Sequence, residues 1–219
     1  MQTQSIAIEV GLKGKKSVAV ARDWPGLSRG AANEELAIER LRAYFPRYAR
    51  VSERAGMRFD EASIEVAERY QGTGSTDFWG ISFAFSEFDR QVQSNDELER
   101  ELALMQACWA EFDEVRHRVS AELRKGPRGG GRDRDRIVQH TIAVEYDWSP
   151  KRAPGSEDQL PLTDDALRLH REGYCAGIRA LHEEGRPAGK WPLRFLIRHT
   201  AFHTMDHAWE MEDKDLTGT

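Results

Sequence analysis

The stretch Arg198-His199-Thr200-Ala201-Phe202-His203-Thr204-Met205-Asp206-His207-Ala208-Trp209-Glu210 places three of the chain's seven histidines at successive four-residue intervals. Read as a helix at ~100° per residue, it turns His203 ~40° and His207 ~80° away from His199 and brings Glu210 back to ~20°. Four potential ligands thus share one face. Both His199/His203 and His203/His207 have the spacing at which neighbouring turns present two imidazoles to one divalent ion, with further ligands drawn from elsewhere. The same stripe also fits a solvated face or a hydrogen-bonded belt. No glutamate follows His199, so the His-Glu-x-x-His arrangement of a zinc peptidase is absent.

Working outward, three further segments carry a helical period. Ser94-Asn95-Asp96-Glu97 has the spacing of a reciprocal cap. From there Leu98, Leu102, Met105, Trp109 and Phe112, continuing through Val119 and Leu123, alternate steps of four and three up to the Gly126-Pro127 stop. A second helix is predicted from about Asp133 to Tyr146. A third runs from Asp164-Asp165, after the cap Thr163, to near Gly185. The helix bearing the histidines is entered through Trp191-Pro192. A glycine-rich basic loop and a Pro/Gly-rich connection separate these helices, whose number and lengths predict an antiparallel four-helix bundle over residues 91–219.

Residues 1–90 read differently. Ile6–Val10 and Ser17–Ala21 form a hairpin around Gly14, and Asp23-Trp24-Pro25-Gly26 punctuates the chain. Asn33 caps a helix whose apolar side is Leu36, Leu41, Tyr44, Phe45 and Tyr48, with Pro46 set to kink or end it. Ser63–Glu68 alternates as a third strand, and Gly72–Ser82 reads as loop with embedded aromatics. The expected fold class is α+β: a small N-terminal α/β module followed by the bundle.

Of the 219 residues, 39% are hydrophobic and 32% charged, with both signs interspersed. A net charge of -5 makes no electrostatic case for nucleic acid. No run approaches the ~20 apolar residues of a membrane span, and the N-terminus lacks the pattern of a signal peptide. No membrane partner and a cytoplasmic location are the expectations. Cys108 and Cys175 lie far apart in apolar contexts, which fits buried thiols better than a disulfide or a cysteine zinc site. The aromatics around Phe78 to Phe88 offer a homodimer contact if the core does not consume them.

A third ligand must come from another helix. His140 lies mid-helix beside apolar residues and is the best placed; Glu145, ~140° further round, is expected to make a structural contact. His170, in the apolar series Leu167, Tyr174, Ile178 and Leu181, is the next candidate, either as a core residue or as a polar group lining a cavity. His117 and His182 sit amid charges and read as surface groups. Glycines 129–131 match no phosphate-binding fingerprint.

With His140 in the second bundle helix and Phe202-His203-Thr204-Met205-Asp206-His207-Ala208-Trp209-Glu210 in the fourth, residues 94–215 resemble the DinB-like superfamily of metal-binding four-helix proteins related to bacterial thiol-dependent transferases. That resemblance implies a divalent metal held by His140, His203 and His207. His199 extends the family's usual pair, so His199/His203 is the alternative register. Zinc is the first expectation, with nickel or iron as alternatives. Three protein ligands imply an open position where water or a low-molecular-weight thiol is activated, and hence a transferase-like enzyme acting on a small-molecule substrate. The alternatives are a non-catalytic metal or small-molecule binder and a regulatory protein-interaction module. The first fifty residues resemble HicB-like antitoxin domains through their paired strands and Pro-Gly turn. They also read as a sheet closing one end of the metal cavity, with Trp24, Phe78 and Trp79 at a substrate entrance.

Overall fold

The computed structural model describes residues 3–60, 63–126, 131–150 and 160–217. Its elements in chain order are β1 (Thr3–Val10), β2 (Ser17–Ala21), β3 (Ser28–Ala31), α1 (Glu34–Ala43), α2 (Phe45–Arg54), β4 (Ser63–Gln71), α3 (Gly74–Trp79), α4 (Glu87–Arg90), α5 (Asn95–Arg118), α6 (Arg134–Trp148), α7 (Asp164–Glu183) and α8 (Leu193–Asp213). The fold class is α+β. Residues 127–130 of the basic loop and 151–159 of the Pro/Gly-rich connection lie outside the described residues.

The sheet runs β3-β2-β1-β4. β1 and β2 form the expected antiparallel hairpin, and β3 extends it through Ser17–Val20 opposite Ser28–Ala31. The chain then crosses through α1 and α2 before β4 adds parallel to β1, with a register slip between Ile6 and Ala7. β2 is buried throughout, whereas β4 alternates exposed and half-buried residues, as an edge strand covered on one side does. Asn33 accepts a hydrogen bond from the Leu36 amide and starts α1. The helical run breaks at Tyr44, and Pro46 falls in the first turn of α2, where its missing N–H costs nothing.

One element is new and two local expectations change. Ser28-Arg29-Gly30-Ala31 is a strand without apolar alternation, held by its partner β2. Within the expected loop Gly72–Ser82, Thr73 caps a helical turn, α3. The helix opened by the Ser94/Glu97 cap ends at Arg118 rather than running on to Leu123. Beyond it, the Ser120 amide donates to the Asp215 carboxylate at 2.9 Å and the Arg124 amide to the Lys214 carbonyl at 2.9 Å. These bonds to the end of α8 draw the chain out of the helix while Val119 and Leu123 stay buried.

α8 is the spine of the molecule. It packs along α5 and α6, and α7 reaches it through a 2.8 Å hydrogen bond between the Tyr174 and Thr200 hydroxyls. One apolar cluster joins Ile6 and Ile8 of β1, Leu41 of α1 and Tyr48 of α2 to Leu102 and Met105 of α5 and Trp209 of α8. It therefore spans the expected division at residue 90. Cys108 and Cys175 are buried and free. No described helix is long and apolar enough to cross a membrane.

Candidate metal centre

The helical period of α8 sets His203 and His207 one turn apart, and its packing against α6 brings His140 to them. Ring centroids are 4.6 Å apart for His203/His207, 5.2 Å for His140/His203 and 5.0 Å for His140/His207. One nitrogen from each ring lies within 4.8 Å of the others. A tetrahedral ion bound at ~2.05 Å needs nitrogens ~3.3 Å apart, so a modest inward turn of the rings suits this donor set. His207 is buried, whereas His140 is partly open to solvent.

The protonation of the rings follows from their surroundings. Nδ1 of His207 donates to Oε2 of Glu210 at 2.8 Å, and the other Glu210 oxygen accepts from Lys214 Nζ at 3.1 Å. Arg132 also reaches Glu210, at 3.3 Å. Burial works to raise the Glu210 pKa, but the bonds to His207 and Lys214 outweigh it and bring it down to about 2. The carboxylate is thus ionised and engages Nδ1 of His207, which leaves Nε2 as the ring nitrogen a ligand would meet. Burial, followed by the neighbouring His207 and Arg132, pushes His140 down to about 4. Burial and the adjacent His207 and His140 hold His203 well below the usual imidazole range. His140 and His203 are therefore neutral near pH 7, the state a metal ligand needs.

His199 does not join this set. It is enclosed by rings: stacked on Phe195 at 5.0 Å, tilted against Trp148 at 4.7 Å and edge-on to Phe83 at 4.7 Å. Burial, then the Arg198 charge, pushes its pKa down to about 3. His170 packs between Tyr146 and Tyr174, with Nε2 3.6 Å from Glu145, and Glu145 pairs with Arg171. Glu210 buttresses His207 instead of joining the ligand cluster. Trp24 lies in the core against Tyr48 and Phe59, while Phe78 and Trp79 pair with each other at the surface. The ring that does touch the cluster is Trp148, 5.3 Å from His203.

No protein-family model, curated protein or solved structure matches this chain. Sequence reasoning missed Arg132, Lys214 and Trp148; the links of Arg132 and Trp148 depend on how α6 and α8 meet, whereas Lys214 stands at the i+4 position from Glu210, a local spacing that could have pointed to it. It also missed the buried group behind His199, where Arg198 clasps Asp89 through two nitrogens at 2.5 and 2.7 Å and reaches the Ser82 hydroxyl at 3.0 Å. A cavity of about 650 Å³ lies apart from the histidines, with Trp109 and Asp113 of α5 facing Leu167, Arg171 and Cys175 of α7. Its arginines are already paired: Arg171 with Asp113 and Glu145, Arg116 with Asp113 and Asp164.

Proposed function

We propose that His140, His203 and His207 hold a divalent metal ion, zinc in the first instance with nickel or iron as alternatives, in a transferase-like enzyme acting on a small molecule. The observation that carries this reading is the convergence of three ring nitrogens within 4.8 Å of one another, one of the rings oriented by a carboxylate at 2.8 Å. A carboxylate behind a ligating histidine fixes its tautomer and makes the free nitrogen more basic. An ion at these three imidazoles would supply Lewis acidity at a remaining position, able to activate a thiol or water. Arg132 and Lys214 share Glu210 between them, so no unbalanced negative charge competes with an anionic ligand there. In this reading α5 to α8 form an antiparallel bundle of DinB-like type, supported by the packing of α8 on α5 and α6 and by the Tyr174–Thr200 bond from α7.

The test is metal content of untagged protein after reconstitution and desalting. One equivalent retained by the parent and by His199→Ala, but lost in His203→Ala and His207→Ala, supports the proposal. Absence of stoichiometric metal in the folded parent overturns it. A screen of metal-loaded protein with several thiols and electrophiles then separates enzyme from binder.

A further inference from the structure

We propose that the joined tip formed by the β1–β2 turn and α3 is a contact surface for an anionic lipid bilayer. The turn reads Leu12-Lys13-Gly14-Lys15-Lys16, and α3 ends in Phe78-Trp79. Leu12 is 56% exposed, Phe78 70% and Trp79 68%, values a folded chain seldom leaves on three neighbouring large apolar side chains. The two rings stand edge to face with centroids 4.5 Å apart.

This display is rigidly held. The Asp77 carboxylate accepts from the Lys13 amide at 2.7 Å and the Lys15 amide at 2.9 Å, which ties the turn to α3. Lys16 Nζ donates to the Phe78 carbonyl at 2.7 Å. Two glycines make room for the approach: a Cβ on Gly11 would stand 2.2 Å from Asp77 Oδ1, and one on Gly30 2.1 Å from the Gly80 carbonyl oxygen. From within, the buried Glu9 carboxylate accepts from the Thr76 hydroxyl. Backbone bonds, close-approach glycines and a buried anchor thus hold Phe78 and Trp79 in water, where they gain nothing from the protein's own core.

Charge selects the occupant. Lys13 and Lys15 are exposed on the turn tied to α3, Lys16 reaches the Phe78 carbonyl, and the Asp77 carboxylate beside them is occupied by the turn amides. A two-fold contact with a second copy would set the same lysines against each other. At ~150–250 Å² per aromatic side chain, the tip also falls short of the ~800 Å² per partner of a stable complex. The edge-to-face pairing makes a wedge of the rings, unlike the stacked platform that single-stranded nucleic acid requires. An apolar wedge beside a lysine-rich turn matches the boundary between acyl chains and anionic headgroups. No described helix is long and apolar enough to cross a membrane, and a peripheral contact of this kind needs none.

Co-sedimentation of the full chain with vesicles of phosphatidylcholine containing about 30% phosphatidylserine, against phosphatidylcholine alone, in about 0.15 M salt, tests the proposal. Partition is expected to favour the anionic vesicles at least about tenfold. Phe78→Ala/Trp79→Ala should lower it about tenfold or more, and Lys13→Gln/Lys15→Gln about twentyfold, since each lysine near such a surface is worth about a factor of five. All four positions are exposed or on the turn, and circular dichroism of each variant checks that it folds. Equal partition to both vesicle types, or partition unmoved by either double variant, overturns the proposal. So does a dimer in sedimentation velocity that the Phe78/Trp79 variant dissociates, or tighter binding to an oligothymidine than to vesicles.

Discussion

Oε2 of Glu210 stands 2.8 Å from Nδ1 of His207, one turn earlier on the same helix. The bond engages Nδ1 with the carboxylate and leaves Nε2 as the nitrogen a ligand would meet. Glu210→Gln keeps the size of the side chain but removes the charge from this bond. Metal affinity, measured by competition with a chromogenic chelator, should fall about 10- to 100-fold with the fold intact. An unchanged affinity would show that the carboxylate does not tune the site.

Behind His199, the buried Asp89 and Arg198 side chains make a two-pronged pair. Burial alone would raise the Asp89 pKa; the Arg198 charge and its hydrogen bonds outweigh it and hold the carboxyl below its usual value. Asp89→Asn leaves a buried guanidinium short of its counter-charge and should cost about 3–5 kcal/mol in urea unfolding. A folded pKa below the unfolded one gives stability that is present above pH ~3.9 and lost as pH falls through the folded value. The variant should lack this acid-dependent component. A loss under ~1 kcal/mol would mean that water already compensates the pair.

Glu9, wholly buried in β1, accepts from the hydroxyls of Tyr70, Thr76 and Ser82 and from the amides of Phe83 and Ala84. Glu9→Ala strands these donors, each worth about 1–3 kcal/mol when left buried and unpaired. Global stability should drop by at least about 2 kcal/mol. Hydrogen exchange at Phe83 and Ala84 should accelerate ahead of the helix amides. Exchange that stays as slow as in the parent would exclude this carboxylate as the anchor of the 82–84 segment.

Metal-free protein should also lose stability on mild acidification. His140 titrates at about 4 and His199 at about 3 in the fold, and His203 lies well below its ordinary value. Unfolded histidines take up protons near pH 6.5 that the folded ones refuse, so stability is complete above that pH and declines as pH falls towards 4. Each fully buried ring contributes up to about 1.4 kcal/mol per pH unit; His140, half open to water, contributes less. His199→Phe, placed among aromatic rings, should flatten the slope of unfolding free energy against pH by about one proton. A slope equal to the parent's would show that His199 is not held neutral by its surroundings.

The helices of the C-terminal two-thirds were legible because their signals are local: the Ser94/Glu97 cap, the four-and-three apolar steps of α5 and the i, i+4 histidines of α8. The spacing of His199, His203 and His207 could not decide the register, because that depends on which part of α8 meets His140 on α6. The aromatic enclosure of His199 rests equally on residues distant in sequence, from Phe83 to Trp148. β3 was hidden because Ser28-Arg29-Gly30-Ala31 becomes a strand only through its partner. The end of α5 was misread because Val119 and Leu123 remain apolar and buried after the helix has stopped. Glu9, Asp89 and Arg198 carry no local pattern at all; they meet only when β1, α4 and α8 are brought together.

Helix α8 is both the centre of the core and the carrier of His203 and His207, which would give metal binding at the proposed site a reach beyond its own neighbourhood. An ion held there adds its binding energy to the unfolding cost of the whole chain, in proportion to the logarithm of its free concentration over its dissociation constant. The reverse also holds. Trimming a side chain such as Leu102, on a different helix but packed in the same cluster as Trp209, would loosen the scaffold that aligns the rings and appear in a titration as weaker metal affinity. Distant defects and ligand depletion would therefore yield one shared phenotype, a protein whose occupancy and half-life fall together.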